Sequence, residues 1–233
     1  MTIEERLTEI EAEVGRGNFD LTGLGFWEVV ERVKRDSNLV DKFAGRIGEI
    51  DARAFRGTSW VYFDVPTGNF LALIVAALGS AWLRLALAFG VGHLSMVLLT
   101  LGVAAITIAL HPVAHYIAGK KLGIEFLFYF PDGPLGFQPT LKSDYKSYLS
   151  APPRNRALMH LAGAISTPIV PLFVLAIALL LNVSPTYLKI ISAAFVLALA
   201  LEVTPLAALK LGYNKNFVRK TDIYRVFREL SYV

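Results

Sequence analysis

The sequence contains no cysteine among its 233 residues. Disulfide bonds, thiol catalysis and cysteine metal ligands are therefore excluded, although the cellular compartment stays open. Charged residues are also scarce, at 18%, whereas soluble domains carry about a quarter. The first residues, MTIEERLTEIEAEV, lack the basic and apolar regions of a secretory signal, so we expect no cleaved signal peptide.

The few charges are unevenly distributed along the chain. Residues 1–68 hold 13 acidic and 9 basic residues, a net charge of −4, whereas residues 69–233 hold 6 acidic and 14 basic residues, a net charge of +8. The basic residues flank apolar segments and form no single solvated patch, which argues against nucleic-acid binding. We therefore expect a polar arm at 1–68 and a basic, apolar body at 69–233.

Four long apolar stretches dominate this body. They cover about residues 69–89, 91–118, 157–181 and 187–210. Each approaches or exceeds the roughly 20 residues that a helix needs to cross a bilayer. The sequence thus predicts an α-helical polytopic membrane protein with about four transmembrane helices.

The orientation in the membrane is predicted from the basic residues in the connections. The two short links, at 90–92 and 182–185, carry none, and Lys189 lies just after the second. The basic residues collect instead in the segment between the second and third spans and in the C-terminal tail, 211–233: Lys120, Lys121, Lys142, Lys146, Arg154, Arg156, Lys215, Arg219, Lys220, Arg225 and Arg228. Both termini and the middle segment are therefore predicted to be cytoplasmic.

The polar arm is predicted to be helical. Residues 4–14 place Leu7, Ile10 and Val14 at helical spacing. A second helical stretch covers about residues 27–54, with breaks indicated at Ser37 and Gly45. We expect a short cytoplasmic arm that caps the body or binds a partner.

The middle segment, at about 124–153, is not predicted to be a membrane helix. Its aromatic run at 125–130 favours a strand, residues 131–134 (Pro-Asp-Gly-Pro) favour a turn, and residues 135–141 favour a returning strand. We expect a small β-hairpin insert at the membrane surface, with an ordinary loop as the alternative.

Two histidines lie near the end of the second span, in the segment ALHPVAHY. His111 and His115 are four residues apart, so they lie one turn apart on one helix face. Two imidazoles at this spacing are able to share one metal ion. Ionisable groups inside a span are costly, which favours a functional role. The alternative is a pair of histidines satisfied by carbonyl groups or interfacial water.

Three further ionisable residues are expected at a similar depth. His160 lies near the start of the third span, Glu202 lies near the end of the fourth, and Asp222 follows the fourth span on the same side. His93 is 18 residues before His111, which is about 27 Å along a helix. It therefore belongs to the opposite membrane face.

The order of several short motifs is typical of one family. The histidine pair is followed by a KLGI exit, the turn-rich segment, MHLAGA at 159–164, LEVTP at 201–205 and KTDIYR at 220–225. This order resembles the site-2 protease family of intramembrane zinc metallopeptidases (peptidase family M50), most closely its short, divergent archaeal branch. The resemblance covers about residues 91–230 and leaves out the arm and the first span.

The resemblance implies a zinc site with His111, His115 and Asp222 as its ligands. In the family a glycine usually follows this aspartate, whereas this chain has Ile223. The pair Gly163-Ala164 matches the small residues that open the family's third core helix and allow close helix packing. Imidazole and carboxylate donors suit zinc best, although other borderline metals also fit.

Two positions depart from the family pattern. Active members have a glutamate directly after the first histidine, where it transfers protons during peptide hydrolysis. This chain has Pro112, which cannot transfer a proton and should kink the helix by crowding the carbonyl of Ile108. Glu202 stands where the family has an asparagine. Three roles are open for it: an extra metal ligand, a replacement base or the partner of a cation. His160 is expected to be an extra ligand or a residue behind the ligands.

These observations leave several functions open. The first is a pseudoprotease that keeps zinc and acts as a scaffold or a binder of transmembrane helices of other proteins. The second is an active zinc intramembrane metallopeptidase with Glu202 as a relocated general base. The third is a metal-free structural subunit of a membrane complex. A haem carrier is disfavoured, because histidines one turn apart cannot supply opposite axial ligands.

Overall fold

Helices dominate the computed structural model, which describes residues 1–132, 138–212, 218 and 221–232. The described residues form nine helices and three strands. In chain order these are α1 (Ile3–Gly15), α2 (Phe26–Val33), α3 (Ser37–Thr58), β1 (Phe63–Asp64), α4 (Val65–Ala88), α5 (His93–Lys121), β2 (Phe126–Asp132), β3 (Gln138–Ser143), α6 (Tyr145–Ser150), α7 (Pro153–Leu180), α8 (Pro185–Lys210) and α9 (Asp222–Leu230).

Four of the described helices, α4, α5, α7 and α8, are long and apolar enough to cross a membrane. They contain 24 to 29 residues, which corresponds to about 36–44 Å. Many of their large apolar side chains, such as Leu73, Val97 and Phe173, point outward and are exposed. Hydrocarbon accommodates such a surface and water does not. The length and composition of these helices confirm the prediction of a helical, multi-pass membrane protein.

The long helices extend a few residues beyond some of the predicted apolar stretches. Helix α4 begins at Val65, because the Asp64 side chain accepts a hydrogen bond of 3.0 Å from the Thr67 N–H and a proline follows in the first turn. Helix α7 likewise begins at Pro153. Hydropathy marks the part of a helix within the bilayer, whereas capping residues in the polar flanks mark where the helix begins.

Helices α4 and α5 form a closely packed hairpin. A Cβ atom at Gly79 would lie 2.9 Å from the carbonyl oxygen of Gly102, and one at Gly102 would lie 2.8 Å from that of Gly79. The two backbones therefore meet at these glycines, as small residues allow in membrane helices. Where α4 connects to α5, the hydroxyl of Tyr187 in α8 lies within hydrogen-bonding distance of the carbonyl oxygens of Ala86 (2.8 Å) and Gly90 (2.6 Å).

The arm is helical, as predicted, and it packs against the body. The predicted second stretch is two helices, since α2 ends at Val33 and α3 begins after the capping residue Asp36, while Gly45 lies inside α3 and does not break it. Apolar residues of the three arm helices form one buried cluster with Tyr148 and Met159 of the body. The arm therefore shares its core with α6 and the start of α7.

The middle segment contains the predicted antiparallel hairpin, formed by β2 and β3. Two features were not predicted: β1 pairs with β2 through Phe63 and Tyr129 to make a three-stranded sheet, and residues 145–150 form helix α6. The predicted turn was placed too early, because residues 131 and 132 belong to β2. Residues 133–137, with the rest of that turn, and Lys215, Arg219 and Lys220 of the tail lie outside the described residues.

Candidate metal centre

Side chains from two helices meet at the end of the bundle that faces the arm. His111 and His115 lie on α5, and Asp222 is the first residue of α9. The Nε2 atoms of His111 and His115 lie 3.1 Å and 3.0 Å from Oδ2 of Asp222. One potential ligand atom from each residue lies within 4.8 Å of the others, so the group could hold a metal ion.

Helix α5 presents the two histidines on one face without interruption. Their rings contact each other edge to face, with centroids 4.9 Å apart. Pro112 lies between them in the sequence and is buried, and α5 continues through it to Lys121. The proline therefore does not end the helix.

Gly163 of α7 provides the space for the His115 ring. A Cβ atom at this position would overlap the imidazole. The small residues at 163–164 were expected to allow close helix packing, and Gly163 has the additional role of leaving room for the His115 ring. A local motif cannot reveal which side chain fills such a space.

Hydrogen bonds to the outer ring nitrogens orient both histidines. Nδ1 of His115 lies 2.9 Å from the carbonyl oxygen of Met159, which only accepts, so this nitrogen carries the proton. Nδ1 of His111 lies 3.0 Å from the Thr167 hydroxyl, which can donate to the Gly163 carbonyl at 3.3 Å. In this arrangement the neutral rings direct unprotonated Nε2 atoms toward Asp222. Metal-binding histidines typically have a hydrogen-bond partner on the other ring nitrogen, as the Met159 carbonyl and the Thr167 hydroxyl are here.

The three inward atoms are all acceptors. Each imidazole lone pair lies about 3 Å from the same carboxylate oxygen, and all three atoms lie within 4.8 Å of one another. They repel unless a cation or protons lie between them. The residues present therefore fit a divalent metal ion, which neutral imidazoles and a carboxylate commonly bind.

The environment of Asp222 favours its ionised form. Burial alone would raise its pKa, but when protons, and not a metal ion, lie between the rings and the carboxylate, the attraction to His115 and the hydrogen bonds with His111 and His115 outweigh burial and hold the pKa of Asp222 well below its usual range. Its place in the first turn of α9 adds the favourable field of a helix N-terminus. An ionised carboxylate is the form that binds a metal.

The other predicted residues lie at different distances from this group. His160 is buried, and its Nδ1 lies 3.4 Å from Oδ1 of Asp222. Glu202 lines the same cavity of about 280 Å³ as His111, His115 and Asp222. Among the described residues, no lysine or arginine forms an ion pair with Glu202. His93 is the first residue of α5, at the opposite end of that helix.

A buried polar cluster behind His160 was not predicted. Glu229 accepts hydrogen bonds from Lys34 (2.6 Å) and Arg156 (2.6 Å), and the Tyr148 hydroxyl donates to it at 2.9 Å. Tyr148 in turn lies 3.1 Å from Nε2 of His160. Two features of the sequence could have indicated this cluster. Arg156 lies at the edge of an apolar stretch, and Glu229 lies seven residues after Asp222, so the two acids are on one face of a helix.

The cations determine the charge of this cluster. Burial would raise the pKa of Glu229, but Lys34 and Arg156 outweigh it and lower the pKa below its usual value. Burial and the neighbouring Glu229 raise the pKa of Tyr148 well above its usual value. The cluster therefore holds an ionised glutamate and a neutral tyrosine.

No protein-family model, curated protein or solved structure matches this chain. The fold and the geometry of the site alone define the class to which the chain belongs. The chain has four helices able to span a membrane, and at one end of them a His–His–Asp group could hold a metal ion.

Proposed function

We propose that this chain is a zinc-binding membrane protein similar to site-2 proteases in which peptide hydrolysis has been lost. The observation that carries the proposal is the convergence of His111 and His115 on Asp222, three residues that the resemblance implies as ligands. Nitrogen and oxygen donors of this kind suit zinc. When bound, zinc would supply positive charge between the three acceptors and so join α5 to α9.

Pro112 supports the loss of hydrolysis. The residue after the first histidine is buried and lines the cavity beside the ligands, and a proline side chain has no group that accepts or donates a proton. The proton transfer that peptide hydrolysis needs has no donor or acceptor at this position.

A role in binding membrane helices is supported by a second cavity, of about 290 Å³, between α7 and α8. Its lining is almost wholly apolar, with Pro168, Phe195 and Leu199 among the contributing residues, and Glu202 also contributes. A lateral apolar groove suits a transmembrane helix of another protein, which would make the chain a scaffold or a helix binder.

We also propose that both termini and the metal site face the cytoplasm, because the basic residues of the connections collect there. Since the chain has no cysteine, each introduced cysteine is a unique label. In intact cells a membrane-impermeant maleimide is expected to label Val91→Cys, in the link between α4 and α5. It should label Arg16→Cys, in the arm, only after permeabilisation. The reverse pattern would contradict this orientation.

The metal site is tested by elemental analysis of purified protein. Wild type is expected to contain close to equimolar zinc, His115→Ala should lose most of it, and the matched control His93→Ala should keep it because His93 lies at the other end of α5. Wild type without metal would overturn the proposal and leave the metal-free structural subunit.

A second candidate function is an active metallopeptidase that uses Glu202 as its base, and the position of Glu202 in the ligand-lined cavity favours it. The two functions are separated by incubating zinc-loaded protein with transmembrane peptides in detergent. The proposed function expects no cleavage. Zinc-dependent cleavage that disappears in Glu202→Gln would establish the second function instead.

A further inference from the structure

His160 has a hydrogen-bonding partner on only one side of its ring. Nε2 lies 3.1 Å from the Tyr148 hydroxyl. Nδ1 is buried without a hydrogen-bond partner, and it lies 3.4 Å from Oδ1 of Asp222. A buried polar atom without a partner costs free energy, so the direction of this nitrogen toward the site requires an explanation.

The hydrogen bonds behind His160 determine which ring nitrogen carries the proton. Glu229 is ionised and accepts from Lys34 and Arg156, so it also accepts the single hydroxyl proton of Tyr148 at 2.9 Å. The Tyr148 oxygen can then only accept from Nε2 of His160. In the neutral ring Nδ1 is therefore an unprotonated acceptor that points at another acceptor, Asp222.

All three histidines around Asp222 direct an unprotonated ring nitrogen toward it. Nε2 of His111 and Nε2 of His115 face its Oδ2, and Nδ1 of His160 faces its Oδ1. The rings of His115 and His160 lie close together, with centroids 6.0 Å apart. We propose that His160 is a fourth metal ligand, whose free nitrogen is set by the chain Glu229–Tyr148–His160.

This inference rests on the proposed function and makes it more specific. Catalytic zinc sites keep a position open for water or substrate, whereas structural sites fill every position with protein ligands. Three histidines and an aspartate would fill four positions. Among the described residues, the ligand atoms of His111, His115 and Asp222 already lie within 4.8 Å of one another, and His160 would move toward them when the metal binds. The metal would then be structural, holding α9 against α5 and α7, which agrees with the absence of a carboxylate at Pro112.

The number of protein ligands is measured by replacing the metal with Co²⁺ and recording its visible absorption spectrum with and without azide. A site filled by four protein ligands should give a wild-type spectrum that azide leaves unchanged. His160→Ala should bind Co²⁺ more weakly, respond to azide and recover its wild-type spectrum with added imidazole. His93→Ala is the matched control and should behave as wild type.

Tyr148→Phe provides a second variant that removes only the hydroxyl. It should lower the Co²⁺ affinity roughly 10–100-fold, as expected for a group that orients a ligand. This variant keeps the inference testable if His160→Ala fails to fold.

Three results would overturn the inference while leaving the proposed zinc site intact. These are a wild-type Co²⁺ spectrum that shifts with azide, a His160→Ala spectrum identical to wild type, and a spectral change found only in Glu202→Gln. Wild type that binds neither Zn²⁺ nor Co²⁺ would overturn the proposed function itself, so the two failures are distinguishable.

Discussion

Glu229→Ala is expected to lower the free energy of unfolding by about 3–5 kcal/mol, because it leaves two buried cations without their anion. Lys34 and Arg156 are 7% and 2% exposed, so water cannot replace the lost carboxylate. For a chain of this length the loss corresponds to a fall in Tm on the order of 10 °C. Thermal unfolding in detergent micelles measures it.

The control for this experiment is Glu4→Ala, which removes a solvent-exposed ion pair with Lys42. Exposed pairs contribute about 0.2–1 kcal/mol, so its Tm should stay close to wild type. The triple variant Lys34→Met, Arg156→Leu, Glu229→Leu should recover stability relative to Glu229→Ala, since it removes the stranded charges. Equal Tm values for Glu229→Ala and Glu4→Ala would contradict the importance of the buried cluster.

Gly163→Ala is expected to abolish most metal binding although it adds only one methyl group. The new Cβ atom would occupy the space of the His115 ring, which must then leave its place between the Met159 carbonyl and Asp222. Overpacking of this kind also costs about 1–3 kcal/mol. Zinc content and Tm of the purified variant measure both effects.

Gly45→Ala is the matched control, because its Cβ atom would meet nothing within 4 Å inside helix α3. Alanine in a helix interior is favoured over glycine by roughly 0.5–1 kcal/mol, so this variant should be at least as stable as wild type and keep its metal. If Gly163→Ala keeps both its zinc and its Tm, the close contact with His115 is not a constraint on the site.

The helical architecture could be predicted because its causes are local. Runs of apolar residues determine α4, α5, α7 and α8, and the spacing of Leu7, Ile10 and Val14 determines α1. Strand β1 was missed because it has two residues and exists through its pairing with β2. Helix α6 was missed because six residues between a strand and a proline carry little periodicity.

The site could be predicted only in part, for a similar reason. The spacing of His111 and His115 is a local pattern, whereas their contact with Asp222 joins residues more than one hundred positions apart and was expected only from the resemblance. The Glu229 cluster combines Lys34, directly after α2, with Tyr148 of α6 and Arg156 of α7. Because these residues come from separate segments, no local spacing predicts their contacts, and only the three-dimensional structure shows them.

The position of α9 in the chain has a consequence for biosynthesis. Asp222 and Glu229 both lie on α9, which the ribosome makes after all the other described elements. Lys34, in contrast, emerges early and remains without its carboxylate partner until residue 229 has been translated. A nascent chain that stops before residue 221 would already contain all four spanning helices, yet neither the ligand group nor the ion cluster could form. Translation of α9 is therefore the step at which the ligand group and the ion cluster can first form.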